Sequence, residues 1–392
     1  MPQHAKVVVT GIGLVSCLGE SLETSWQELL SGQSGIRLHQ PFPELEPLPL
    51  ALIGKQPVRL TKLTQLVVAS ALEDAGLVPP LPDCGVVIGS SRSHQALWEH
   101  LAREADTQSQ PATGEDACAT DLEQWLDTLP HMSAIATARQ VGATGSVLSP
   151  MAACATGIWA LAQGSYLVET GQCQRVIAGA VEAPVTPLTL AGFNQMGAKA
   201  RTGAYPFDRR REGLVLGEGA GVFVLESAEL ARQRSARVYG QVLGWGLTAD
   251  AYHAVVPEPG GRSAIAAVKQ CLDRSNLRTG DIDYIHAHGT ATQLNDRNEA
   301  QLIQHLFPQG VPVSSTKGAT GHTLGASGAL GVAFCLMALK HQLLPPCVGL
   351  KEPEFDLDLV TVPRWGEIRQ VLCFSFGFGG QNAVVALGRA RI

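Results

Sequence analysis

The sequence predicts an α/β fold with buried sheets, on three observations. Short apolar runs without polar alternation recur along the chain, as at Val7-Val8-Val9, Val86-Val87-Ile88, Val176-Ile177-Ala178 and Val222-Phe223-Val224-Leu225. Strands covered on both faces read this way. Segments with helical spacing separate them. The composition is that of a thick-layered protein: of 392 residues, 45% are hydrophobic, 16% are charged and 42 are glycine, where about 25% charged is usual. Such a chain buries enough apolar surface to offset its ordering entropy, which excludes disorder as its main state.

In order, Lys6 to Thr10 reads as a strand, followed by Gly11-Ile12-Gly13 and Ser16. That G-x-G-x-x-S order lacks the third glycine of a dinucleotide fingerprint and excludes a Rossmann cofactor site. Ser21–Leu30 and Thr61–Ala75 read as helices, the second with Leu63, Leu66, Val67 and Ala71 on one face. Val86–Gly89 is a second buried strand. Residues 91–150 show no clear period, and Arg103–Asp121 reads as a loop or an exposed helical excursion. Ala153–Thr170 is helical, with Gly171 as its stop. Strands follow at Val176–Ala180 and Val222–Leu225, with turn-rich chain over 183–213 between them. A short charged helix, Ala228–Ala236, connects to a second series: strand Val238–Leu243, helix Ser263–Ser275, strand Tyr284–Ala287, helix Arg297–Leu306, strand Val311–Ser314 and helix Ser327–His341. Val371–Phe374 and Ala383–Leu387 form a terminal hairpin. The expectation is mainly parallel sheets, with a division of the chain near residue 230 given by element order.

Net charge is −6, from 29 basic and 35 acidic residues. That argues against nucleic acid as a partner, which wants a basic face. The one dense basic run, Arg209-Arg210-Arg211, reads as a solvated turn. Nine cysteines without C-x-x-C spacing argue for reduced thiols in a cytoplasmic protein and against a zinc site. The start, MPQHAKVVVTGIG, lacks the pattern of a signal peptide. Leu324–Leu339, uncharged and rich in Gly and Ala, is short for a membrane span and fits a closely packed buried helix.

Four segments carry chemistry. In Ala152-Ala153-Cys154-Ala155-Thr156-Gly157, small residues surround a cysteine just before a helix. The helix dipole there favours the thiolate and is expected to lower the thiol pKa. In His286-Ala287-His288-Gly289-Thr290-Ala291-Thr292, histidines stand at the carboxyl end of a strand, where open α/β sheets bind ligands, and the alternating threonines point both hydroxyls at one ligand. His286 and His288 lack a third metal ligand at obvious spacing. Ser314 to Gly328 places Lys317 and His322 in a glycine-rich turn opening a helix, without the G-x-x-x-x-G-K-[ST] order of a nucleotide phosphate loop. Phe374-Ser375-Phe376-Gly377-Phe378-Gly379-Gly380-Gln381-Asn382 offers backbone N–H groups suited to an oxyanion hole.

Together with Val7 to Gly13, Pro206-Phe207-Asp208 and Gly217-Glu218-Gly219-Ala220-Gly221, these segments resemble the elongating β-ketoacyl-[acyl-carrier-protein] synthases over nearly the whole chain. The resemblance implies a thiolase-like fold, two similar halves in five α-β-α-β-α layers, taken here as residues 1–230 with the nucleophile and 231–392 with the histidines. It implies a homodimer that takes acyl and malonyl groups from an acyl carrier protein, with no cofactor, metal, nucleic acid or membrane. Cys154 matches the acyl-accepting nucleophile, and His288 and His322 match the two histidines. Lys317 and Glu299 match a charged pair beside them. Thr290 and Thr292, with Phe376 and Phe378, match the pantetheine contacts. Phe378 also matches the gate whose N–H joins that of Cys154 in the oxyanion hole. Lys317 is expected to keep His322 uncharged by like-charge repulsion. Tyr205 stands where the family often has Arg, and Val255 where some members have Thr. Two further readings are a non-catalytic chain-length-setting partner subunit, which usually lacks the cysteine, and a cysteine hydrolase or thiolase, for which Cys373 is the one candidate second cysteine.

Overall fold

The computed structural model describes residues 5–107 and 125–390. Its frame is an eleven-stranded sheet. The strands are β1 Val7–Ser16, β2 Cys84–Gly89, β3 Val147–Leu148, β4 Arg175–Glu182, β5 Gly219–Ser227, β6 Gly240–Ala249, β7 Tyr284–His286, β8 Pro312–Ser314, β9 Asp358–Leu359, β10 Gln370–Gly377 and β11 Gln381–Gly388. In space they run β9-β8-β7-β10-β11-β6-β1-β5-β4-β2-β3. From the centre outward, β1-β5-β4-β2-β3 and β6-β11-β10-β7-β8 repeat one pattern: two antiparallel pairings, then two parallel ones. Within the sheet, the two series pair through Val7↔Val242, Val8↔Gln241 and Val9↔Gly240. The expectation of mainly parallel sheets is therefore corrected. The parallel strands lie outside, and an antiparallel block fills the middle. The link between β10 and β11 shows why: a turn of three residues, Phe378 to Gly380, can join only antiparallel strands.

Helices complete the layers: α1 Leu60–Asp74, α2 Met132–Val141, α3 Thr156–Glu169, α4 Arg262–Ser275, α5 Gln293–Leu306 and α6 Ser327–His341. Three apolar clusters separate them. The largest joins α3 and α6 to strands of both series, a second lies under α1 and α2, and a third lies under α4 and α5. The order is thus α-β-α-β-α. A helix between two sheets has no solvent face, which is why α6 is buried from Ser327 through Leu339. The stretch Leu324–His341 is apolar enough to cross a membrane, but 89% of it is buried inside the protein.

Several local expectations change. Gly11 and Gly13 do not form a turn; β1 runs through them with a register shift after Val9. They are small because α1 packs on them, and a Cβ on Gly13 would lie 2.1 Å from the Val67 carbonyl oxygen. In α1, Leu63, Val67 and Ala71 are buried, but Leu66 sits at the stripe's edge and is exposed. Residues 91–150 contain a helix at Gln95–Thr107, then α2 and β3, so Arg103–Thr107 is helical; the rest of the Arg103–Asp121 stretch lies outside the described residues apart from what precedes 108. Arg211 does not belong to a solvated turn. It is 1% exposed, bonds to Glu354 and lies 4.8 Å over the Phe355 ring.

Candidate active site

The two central helices begin at one place, where the two series face each other. Cys154 precedes α3 on a tight turn. Ala153 there has φ 47, a left-handed conformation that costs a non-glycine residue about 1–3 kcal/mol. Thr156 holds the turn: its hydroxyl donates to the Ala153 carbonyl (2.7 Å) and accepts from the Ala152 N–H (2.9 Å). From the other series, the Ser375 hydroxyl donates to the Cys154 carbonyl at 2.8 Å. Gly377 admits the same turn, since a Cβ would stand 3.0 Å from the Cys154 nitrogen and 2.8 Å from the Ala152 oxygen.

His288 follows β7, and its backbone is fixed from below. Glu299, on α5, accepts the N–H groups of His288 (2.6 Å) and Gly289 (2.7 Å). The Lys317 ammonium donates to the His288 carbonyl and lies 3.4 Å from its Nδ1. An ammonium can only donate, so Nδ1 accepts and the ring proton sits on Nε2. His322 reaches the same state by other means. Its Nδ1 accepts the Leu324 backbone N–H (3.0 Å) and faces the Ser327 hydroxyl (3.0 Å). A backbone N–H is always a donor, so this ring too carries its proton on Nε2. The rings meet edge to face at 5.3 Å between centroids.

The electrostatics favour neutral imidazoles. Burial, and after it the Lys317 charge, hold both histidines well below the ordinary range. The expected like-charge effect on His322 therefore exists but ranks second to burial, and Lys317 makes its contact with His288. Burial also lowers Lys317 and raises Glu299. These two are joined through the backbone and ring of His288; no ion pair links them directly among the described residues. For Cys154 the expected lowering is overturned. Burial pushes the thiol up to about 11, outweighing Lys317 and the Phe378 backbone N–H, so the resting sulfur carries its proton.

Around this centre, Phe376 packs edge-on to His288 at 6.0 Å, and Phe378 stacks on Phe193 at 6.1 Å. Thr290 and Thr292 do share a side, with hydroxyls 2.9 Å apart. Strand alternation is not the reason: Ala291 between them has φ 65 and turns the chain, and Thr292 also caps α5. Tyr205 lies under the Arg210 guanidinium at 5.0 Å, which brings a cation to that place. His286 turns away from the site, bonding Thr316 at 3.1 Å with Cys373 behind it at 3.8 Å.

One donor atom each from Cys154, His288 and His322 lies within 4.8 Å of the others. All three are buried. Thiolate and imidazole donors are those zinc uses, but the Lys317 ammonium beside His288 works against a dication. Sequence reasoning missed Ser327, Ser375 and Glu182. Glu182 left a readable signal, a lone carboxylate ending the otherwise apolar run Val176 to Val181. The two serines left none.

Comparison with known proteins fits this geometry. Residues 58–231 match the family model for the beta-ketoacyl synthase N-terminal domain, and residues 239–351 match that for the C-terminal domain. A 3-oxoacyl-[acyl-carrier-protein] synthase 2 of Staphylococcus aureus (strain COL) is 32% identical over 98% of both chains. The chain belongs to the β-ketoacyl synthase family. A second relative is the ketoacyl synthase alpha subunit of the tetracenomycin polyketide synthase of Streptomyces glaucescens, 32% identical over 100% of this chain and 99% of its own. Among solved structures, the ishigamide ketosynthase/chain length factor superposes with a TM-score of 0.91 at 27% identity, covering 99% of this chain and 100% of that one. A ketosynthase in complex with its type II acyl-carrier protein gives 0.91 at 26% identity over the same shares. These synthases carry the thiolase-like fold, and the layer order described above is theirs.

Proposed function

We propose that the chain is an elongating 3-oxoacyl-[acyl-carrier-protein] synthase, an acyltransferase that condenses an acyl group held on Cys154 with a malonyl thioester. One observation carries this reading: the Cys154 sulfur faces two imidazoles, both neutral and both held as Nε2–H donors. In the first step Cys154 attacks an acyl thioester. Its proton leaves with the departing pantetheine thiol, and the N–H groups of Cys154 and Phe378 hold the oxyanion. In the second step the malonyl thioester loses carbon dioxide. The electron pair of the broken C–C bond becomes an enolate, and both Nε2–H groups donate to its oxygen. In the third step the enolate carbon attacks the acyl-Cys carbonyl. The β-ketoacyl thioester forms, and the Cys154 thiolate takes a proton from water. The scheme asks for no cofactor.

Thr290, Thr292, Phe376 and Phe378 are the proposed contacts of the pantetheine arm, which an acyl carrier protein delivers. The relatives named for that carrier support the partner. We assign residues 1–230 to the half with the nucleophile and 231–392 to the half with the histidines. A homodimer in the cytoplasm completes the proposal. The sheet edge at β3, where Leu148 is exposed, is open for a second copy. The partner-subunit reading draws on solved structures that pair a ketosynthase with a chain length factor, but intact Cys154, His288 and His322 weigh against it. The test is incubation with octanoyl and malonyl carrier thioesters, read by mass. The expected result is a product longer by two carbons with a β-keto group. No product from the chain alone, with product on adding a related subunit, would overturn the reading.

A further inference from the structure

Among the fully buried carboxylates of the described residues, Glu182 is one that the catalytic scheme leaves without a role. Glu182 ends β4, is 0% exposed and accepts hydrogen bonds from five donors. Its Oε1 takes the Ser90 hydroxyl (2.9 Å) and the Arg92 N–H (2.9 Å). Its Oε2 takes the Ser91 N–H (2.8 Å), the Ser91 hydroxyl (2.7 Å) and the Gly325 N–H (2.9 Å). Four of these donors lie on the loop after β2. The fifth lies on the loop that carries His322. One side chain therefore ties the two series together at the level of the site.

The tie ends next to a strained residue. Leu324 has φ 41, a conformation that a branched side chain holds only under constraint. Its N–H is the donor that fixes the His322 tautomer, and its neighbour Gly325 is the group Glu182 binds. No side chain fits at Gly325, since a Cβ would lie 2.5 Å from Glu182 Oε2 and 2.9 Å from the Ser91 nitrogen. The Leu324–Gly325 backbone is thus pinned at both ends, by His322 Nδ1 and by the Glu182 carboxylate.

We infer that Glu182 is a positioning residue for the decarboxylating step: by clamping the Gly325 amide it holds the strained Leu324 N–H on His322 and so keeps Nε2–H aimed at the enolate oxygen. The inference rests on the functional reading above and adds to it a residue outside the reacting set. It separates two steps. Acyl loading uses Cys154 and the oxyanion hole; Glu182 bonds neither, and its charge adds to burial in raising the Cys154 thiol, so removing that charge does not slow loading. Decarboxylation uses His322.

The test compares Glu182→Gln with wild type in two single-turnover assays: octanoyl transfer to Cys154, read by intact mass, and carbon dioxide release from malonyl carrier thioester. The amide keeps the size but turns donors against donors. Decarboxylation should fall by about tenfold or more, the size expected when buried hydrogen bonds are broken, while loading is not slowed. In protein labelled with ¹⁵N histidine, His322 should shift from a pure Nε2–H tautomer to a mixture. Equal loss in both assays marks a merely structural residue and overturns the inference, as does no loss in either. If Glu182→Gln does not melt cooperatively, Ser91→Ala decides. It removes one hydroxyl from the clamp and should slow decarboxylation by about threefold, with loading unchanged; an unaltered rate overturns the inference. Wild-type protein that neither loads nor decarboxylates overturns the functional reading itself.

Discussion

The two halves of the sheet share a pairing pattern and differ in what their loops carry. In each, a central helix follows the outer parallel strands: α3 after β3 and α6 after β8. In the first half the approach to that helix is seven residues, Ser149 to Ala155, ending in three alanines and one thiol. In the second it is twelve residues, Ser315 to Ala326, with a short helix at Lys317–Thr320, a histidine and a glycine-rich return. The loops after β2 and β7 differ in the same way. The first gives the Ser91 and Arg92 amides to Glu182, and the second gives the His288 and Gly289 amides to Glu299. One frame therefore supplies a nucleophile from one side and electrophilic donors from the other. Fold repeats, and chemistry is grafted on the loops.

Single substitutions can break this division of labour. The largest effect belongs to the first half. Cys154→Ala should abolish acyl loading by intact mass with little change in melting temperature; loading at another residue would show that the halves are misassigned. Next come the donors of the second half. His288→Ala or His322→Ala should lower carbon dioxide release from malonyl thioester by about 10²–10³-fold while Cys154 still loads, because one oxyanion donor is commonly worth that much. If either variant stops loading instead, the two halves do not divide the steps.

A smaller effect tests the cause of neutrality. His288 and His322 lie below the ordinary imidazole range through burial first and Lys317 second. Both should therefore remain neutral donors as pH falls past about 6.5, and the decarboxylation rate should stay level there. Lys317→Met removes a cation that lowers both histidine pKa values, so the acid limb should move to higher pH while staying below about 6.5, because burial still disfavours the imidazolium. An unmoved limb would leave burial as the whole cause. Ser327→Ala takes one of two partners from His322 Nδ1 and leaves the Leu324 N–H; about fivefold in decarboxylation is expected, the worth of one hydrogen bond. The smallest effect lies at the entrance. Thr290→Val should raise KM for the carrier thioester several-fold at nearly constant kcat, the signature of lost uniform binding. A fall in kcat alone would move Thr290 into the catalytic step.

Much of this was legible before any coordinates. The apolar runs gave the strands, because a strand covered on both faces has no polar side to show. Cys154, His288 and His322 stood out because each sits among glycines and small residues at the end of an element. What failed to show has a common cause. The Cys154 thiol was expected to be acidic from its place before a helix, and burial reversed the sign. Arg211 reads as surface in a run of three arginines, yet Glu354 and the Phe355 ring draw it inside. Glu182, Ser327 and Ser375 bond to groups between 5 and 221 residues away, and no local spacing records such partners.

The kinds of element, their order and the residues able to do chemistry can be read along the chain, since hydrophobic period and side-chain type are local properties. Which strands run antiparallel, which protons the imidazoles hold and how readily the sulfur ionises emerge from the folded layers. Those depend on burial and on donors brought from the far half of the chain, and both exist only once the layers have closed.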